Sequence, residues 1–112
     1  MAVYGDFQLA RYADGILAIE MQPNTPIGGW FIEFNVKKRF TSETPILTKS
    51  VASGHNSQSG IQITNSGAGI LNVNFFGVEM SGQDLGAYAY TMERLTSGSR
   101  TMLSQGYLNL TT

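Results

Sequence analysis

Cysteine is absent from this chain, which excludes disulfides, zinc–thiolate sites and thiol nucleophiles. Histidine occurs once, as His55, which leaves one imidazole as a conceivable general base, for Ser53 or Ser57. Charge is scarce: charged residues make up 13% of the chain, about half the usual share. A surface this poor in charge predicts that part of it is covered by partners; the alternative is a polar Ser/Thr/Asn/Gln/Gly surface. The net charge of −1 provides no field that would attract nucleic acid or an anionic membrane. No apolar run approaches the ~18 residues a membrane helix needs, and residues 1–22 show no basic segment followed by an apolar one. The expectation is a chain without a signal peptide, made in the cytoplasm and soluble until it meets its partners.

What is present is a series of short β-rich runs separated by Gly, Asn, Ser and Pro, with almost no helical periodicity. That spacing predicts an all-β sandwich or barrel. The 112 residues suit one domain, 1–112, with its core between about residues 7 and 110. The runs are 7–11, 16–21, 30–40, 46–51, 61–64, 70–78, 87–95 and 101–110. Alternation assigns their faces. Leu17, Ile19 and Met21 point inward; so do Trp30, Ile32, Phe34 and Val36, then Ile61 and Ile63, Leu71, Val73 and Phe75, and Tyr88, Tyr90 and Met92. Between the first two runs, Tyr12-Ala13-Asp14-Gly15 reads as an Asp-Gly turn. Lys49 suits an exposed edge strand, and Gly106 marks a candidate bulge in the last run.

Two features narrow the fold. Trp30 opens the strongest strand, where immunoglobulin-like sandwiches often carry a buried Trp; this makes it the candidate core anchor, with a rim or interface Trp as the alternative. The segment Asp84-Leu85-Gly86-Ala87-Tyr88-Ala89-Tyr90 reads as a tyrosine corner. In such a corner a phenol satisfies a backbone carbonyl that the sharp bend leaves unpaired. Asp84, Gly86 and Tyr88 form this structural corner, with Gly86 expected to relieve crowding beneath the ring. Tyr90 stands where an antibody domain places its second cysteine. The fold expected is an immunoglobulin-like antiparallel β-sandwich of seven or eight strands.

Catalytic constellations find little support. His55 lies in the polar stretch Ser53 to Ser59, with no acid nearby in sequence to orient it as a base. The eight acids are scattered, and Glu33 and Glu93 fall on outward faces, unlike the facing pair that glycoside cleavage needs. Asp6, Asp14 and Asp84 sit at turns, where Asp bonds local backbone. Lys37-Lys38-Arg39 is a short basic run at a strand end. The chain is therefore read as a non-enzyme without cofactor or metal. The positive signal is apolar residues on outward faces or in loops: Ile27, Phe31, Phe76, Leu103 and Tyr107, with His55 and the loops 23–29 and 53–59, are the candidate interface.

The stretch from Gly69 to Phe76, then Leu85-Gly86-x-Tyr88-x-Tyr90, then Thr101 to Leu110 with Gly106-Tyr107 inside it, resembles the small immunoglobulin-like domains of tailed-bacteriophage particles. The N-terminal domain of upper-baseplate proteins is the nearest such family in layout. The resemblance implies a virion structural protein: a repeated adaptor in the tail, baseplate or neck, whose partners are other virion proteins and copies of itself in a symmetric homo-oligomer. Other readings are a capsid decoration protein, a carbohydrate- or receptor-binding sandwich, and an accessory domain of a host enzyme.

Overall fold

A computed structural model of the chain describes residues 3–4, 6–21, 26–52, 57–58, 60–80 and 82–111. Ten strands follow one another, and no helix occurs among the described residues. They are β1 (Val3–Tyr4), β2 (Phe7–Ala10), β3 (Gly15–Glu20), β4 (Phe31–Lys37), β5 (Leu47–Val51), β6 (Ser57–Gln58), β7 (Ile61–Asn65), β8 (Ile70–Phe75), β9 (Gly86–Thr96) and β10 (Ser99–Thr111). One sheet has the order β1-β10-β9-β4-β5, with β2 also beside β10; the other has the order β3-β8-β7-β6. The fold is an immunoglobulin-like β-sandwich.

The expected antiparallel pairing holds for the hairpins and the central ladders. The N-terminal strand differs: β1 and β2 both run parallel to β10, Val3 opposite Ser104 and Phe7 opposite Leu108. The chain then changes sheets between β2 and β3, because β3 pairs with β8. The Asp14-Gly15 step is thus a crossover between layers and not a hairpin turn. The Asp14 carboxylate accepts a 2.8 Å hydrogen bond from Gly77 N, which ties this crossover to the segment after β8. In β10 the irregularity lies between Met102 and Ser104, while Gly106 pairs regularly with Tyr90. The last strand therefore bulges at Leu103, ahead of the glycine.

The inward rows meet as alternation predicts. Ile32, Phe34 and Val36 from β4, Leu71, Val73 and Phe75 from β8, and Tyr88, Tyr90 and Met92 from β9 are all buried. Phe34 is the centre of this interior. Its ring stacks on Tyr90 at 5.2 Å and meets Phe75 of the facing sheet edge-on at 5.8 Å and 73°. Phe75 in turn stacks on Phe7 at 5.5 Å. Antibody domains hold the same place with a disulfide and a Trp on the third strand. Here Phe34 takes the position at the centre of that strand. Trp30 instead precedes β4 and is only half-buried at the rim of the core, because the strand starts one residue after it and its indole lies beyond the last inward pair.

Lys49 reverses the expectation of an exposed edge charge. It lies on the edge strand β5 opposite Phe34, so the pleat points it inward, and it is only 3% exposed. Its ammonium donates to both oxygens of Glu79, at 2.9 and 2.7 Å, and lies 5.5 Å from each of the Phe75 and Phe76 ring centroids. Glu79 also accepts a 2.6 Å bond from Phe76 N, so one carboxylate holds both the buried cation and the bend after β8. Gly60 makes room for the arrangement: a Cβ there would stand 2.8 Å from the Lys49 ammonium and 2.9 Å from its Cδ, with φ at +92°. An inward charge on an edge strand also discourages sheet-to-sheet pairing.

Removing one member of a buried pair strands the other charge. Lys49→Met should lower stability by about 2–4 kcal/mol in urea unfolding, the lower end reflecting partial exposure of Glu79. Lys49→Met combined with Glu79→Gln should recover part of that loss, since no uncompensated charge remains. Equal stability of Lys49→Met and wild type would show that the ammonium is hydrated.

Candidate functional site

The corner residues come together as a local unit. The Tyr88 hydroxyl donates to the carbonyl oxygen of Asp84, four residues upstream. Burial raises the Tyr88 phenol above its ordinary value, the Asp84 charge adds to this, and Arg11 opposes it; the phenol stays protonated and remains a donor. Gly86 has φ at +139° with nothing within 4 Å of where a Cβ would be. The space beneath the ring is open, and the glycine is required by backbone conformation. Two residues on, burial likewise raises the Tyr90 phenol, while a hydrogen bond with the buried Ser104 lowers it and Asp6 raises it further.

Five of the candidate interface residues can be placed, and two are not at the surface. Ile27 is 0% exposed. Its backbone N–H donates to Ser66 O at 2.8 Å and its carbonyl accepts from Trp30 N. Residues 26–29 are thus tied to the end of the sandwich, with Ile27 as the plug, while 23–25 of this loop lie outside the described residues. Leu103 is buried as well, because the irregularity between Met102 and Ser104 turns it off the outward row. Phe31 is half-buried beside its cross-strand partner Leu95. Phe76 and Tyr107 are exposed, at 55% and 48%. His55 and most of the 53–59 loop lie outside the described residues.

Apart from Leu85, exposed at the tyrosine corner, the large exposed apolar residues fall into two groups. One lies where the β2–β3 crossover meets the bend after β8. Tyr12, Ile16, Phe76 and Val78 are all exposed there. The Tyr12 backbone lies so close to Gly77 that a Cβ would stand 2.6 Å from the Tyr12 carbonyl oxygen, which brings the two segments together. Ile16 and Phe76 line a shallow groove of about 550 Å³ with Asp14, Gly15, Asn74 and Phe75. The outward face of β3 and β8 continues from this groove. Ile16, Ala18 and Glu20 stand opposite Asn74, Asn72 and Ile70, a row in which Glu20 is the one charge. The other group is Phe40 and Tyr107, exposed rings in an edge-on pair at 5.3 Å.

Alternation places Phe76 and Tyr107 outside, whereas it does not single out Ile16, on the face opposite Leu17, Ile19 and Met21. Phe40 and Val78 were missed because both were placed inside strands that end earlier, at Lys37 and Phe75. Their loop positions, set by the bends that follow those strands, carry no periodic signal.

The outward face of β4, β9 and β10 is handled differently. Glu33 and Glu93 stand directly opposite each other. Arg100 of β10 bridges them, 3.1 Å from Glu33 and 3.6 Å from Glu93. Asn35 donates to Glu33 at 2.9 Å and accepts from Thr48 at 2.7 Å. Burial pushes the Glu33 carboxyl up, but hydrogen bonds from Asn35 and Arg100, with the charges of Arg100 and Lys37, outweigh it and leave the carboxyl below its ordinary value. Glu33 is thus held as a carboxylate, and with Arg100 and Glu93 it forms an ion-pair ladder. Asp6 and Asp14 accept backbone N–H bonds from Tyr107 and Gly77. Lys38 and Arg39 are exposed after β4. Among the described residues no three His, Asp or Glu side chains gather to hold a metal ion.

No family model matches this chain, and no curated protein matches it. Among solved structures it is similar to the NK cell receptor Nkp44, described as a triggering partner in natural cytotoxicity. The identity is 14% over 99% of each chain, with a TM-score of 0.52. It is also matched with a structure from work on the cell-adhesive interactions of VGSC beta subunits, at 13% identity over 96% of this chain and 91% of that one, with a TM-score of 0.45. The first likeness is one of fold, an immunoglobulin-like domain, and supports the sandwich architecture alone.

Tyr88→Phe should cost about 1 kcal/mol, the usual net worth of one hydrogen bond, read as a lower urea midpoint with unchanged slope. A midpoint equal to wild type would mean that water replaces the phenol. Because the Glu33 carboxyl is depressed in the folded state, its contribution to stability is present above the ordinary carboxylate range and is lost as pH falls through the folded value. Arg100→Gln should therefore lower the thermal midpoint at neutral pH and leave it nearly unchanged in strong acid. A loss of the same size at both pH values would exclude the pairing as its source.

Proposed function

We propose that this chain is a non-catalytic structural module that works by contact, binding copies of itself and other proteins of an assembled particle. The observation that carries this reading is the pair Ile16 and Phe76, exposed on one groove, with Tyr12 and Val78 exposed on the two segments that meet beside it, on a molecule with little charge. Isolated exposed apolar residues are ordinary, but a cluster beside a sheet face with a single charge, Glu20, has the composition of an interface core. Glu33 and Glu93, the acids nearest to a facing pair, are neutralised by Arg100, which supports a structural role for them.

Within this reading, the layout of residues 69–110 supports a repeated adaptor in the tail, baseplate or neck of a tailed-phage particle. A ring of such modules would gain its strength from many modest contacts repeated by symmetry. The Phe40–Tyr107 pair favours a second reading, a carbohydrate-binding sandwich, because exposed ring faces form stacking platforms for sugars.

Sedimentation velocity over a range of concentrations tests the first reading. Wild type should form a defined oligomer, and Ile16→Glu, which places a charge at the margin of the patch on an exposed position, should return it to monomer with its unfolding midpoint retained. A monomer at every concentration, or an oligomer indifferent to Ile16→Glu, would overturn self-association through this patch. Binding on a glycan array that Tyr107→Ala abolishes would favour the second reading.

A further inference from the structure

At the far end of β9 from the corner, Arg94 meets Trp30. The guanidinium carbon lies 4.0 Å from the centroid of the indole ring. The two side chains wall a recess of about 490 Å³ together with Phe31, Leu95, Thr96 and Ser97. The position follows from the pleat. Glu93 falls on the outward face and joins the Arg100 ladder, so its neighbour Arg94 turns to the other side, opposite Ile32 and Thr101. There it extends past the last inward row, to the rim where Trp30 stands.

Arg94 is half-buried and has no counter-charge among the described residues. All the acids of the chain lie among the described residues. Their ion pairs there are Lys49 with Glu79 and Arg100 with Glu33 and Glu93, and none is made by Arg94. Its Nε is shut off from solvent without a hydrogen-bond partner. Enclosing one donor without a partner is costly, and stacking on Trp recovers only part of that cost. Resting one face on an indole also fixes the plane of the guanidinium, which orients its donor fork before anything binds.

We infer that this recess is a binding site for a carboxylate, and that its ligand is an acidic side chain flanked by apolar residues on a peptide segment of a partner protein. The chemistry follows from the lining. A guanidinium fork matches a carboxylate through two parallel hydrogen bonds. Arg94 is the one cation in the lining, which suits a single negative charge; a phosphate would call for more. Phe31 and Leu95, cross-strand partners, add an apolar wall for the neighbouring side chain, and Thr96 and Ser97 add hydroxyls at the rim. Trp and Arg are also the residue types that dominate binding energy at protein interfaces. The inference rests on the contact-module reading, but it uses the opposite end of the sandwich from the Ile16–Phe76 patch. The sedimentation result therefore stands or falls independently of this site.

Trp30 is the only tryptophan in the chain, so its fluorescence reports the recess directly. Titration with acetyl-Leu-Glu-Leu-amide should give a saturable change. The same peptide with Gln in place of Glu should bind at least about tenfold more weakly, since it forfeits the charge-assisted pair. Arg94→Lys should weaken the Glu peptide by about tenfold, because an ammonium cannot form the fork, and Arg94→Gln should abolish binding. Equal binding of the Glu and Gln peptides, no saturation with either, or undiminished binding to Arg94→Gln would overturn the site. Tighter binding of glucuronate or inorganic phosphate than of the Glu peptide would overturn its assignment to a peptide. Should Arg94→Gln prove unstable in thermal unfolding, the Glu-against-Gln comparison on wild type and Arg94→Lys decides.

Discussion

The contact between Phe34 and Phe75 joins the two sheets, and much else in the molecule is arranged around it. One ring comes from the middle of β4 and the other from the end of β8, and each has a second aromatic neighbour, Tyr90 and Phe7. A sandwich of this kind without cysteine has no covalent tie between its layers, so apolar area and ring geometry must supply what a disulfide supplies elsewhere. Edge-on and offset ring pairs contribute about 0.5–1.5 kcal/mol each beyond burial. Their larger effect is to set the spacing of the sheets and the register of the strands that carry them.

The same constraint explains where charge is allowed. β5 must place a side chain opposite Phe34, and that side chain is Lys49. It can stay inside because Glu79 reaches it from the bend after β8 and Gly60 leaves room for its stem. That bend then carries Phe76 and Val78 to the surface beside Tyr12 and Ile16. The exposed patch is in this sense a consequence of the interior: the turn that holds the buried pair also presents the apolar side chains. On the outward face of β4 and β9 the solution is different, with two acids opposed across the sheet and one arginine between them.

Three kinds of surface result. One is polar and self-paired, around Glu33, Glu93 and Arg100. One is apolar and open, around Ile16 and Phe76. One is an unpaired guanidinium resting on an indole. The first has its interactions satisfied within the chain, and the other two do not. Interfaces draw on this kind of unsatisfied surface, apolar side chains grouped with little charge and rigid Arg–aromatic pairs.

Period-two alternation was enough to specify the inward rows, because a strand has only two faces and one of them must leave water. It therefore located the interior residues of β4, β8 and β9, and with the Asp84–Tyr88 spacing it indicated an immunoglobulin-like sandwich. It could not specify where strands end, since Trp30, Phe40 and Val78 continue the apolar pattern of β4 and β8 without being paired in them. Nor could it determine the direction of residues in loops and irregular steps. Ile27 becomes a plug because the Ser66 carbonyl draws its loop over the end of the sandwich, and Leu103 turns inward because β10 slips its register. Lys49 is buried because a partner from thirty residues further along meets it there. Local chemistry thus determined which residues could face each other, while contacts distant in sequence decided which of the remainder were covered, and that pairing exists only once the two layers are closed.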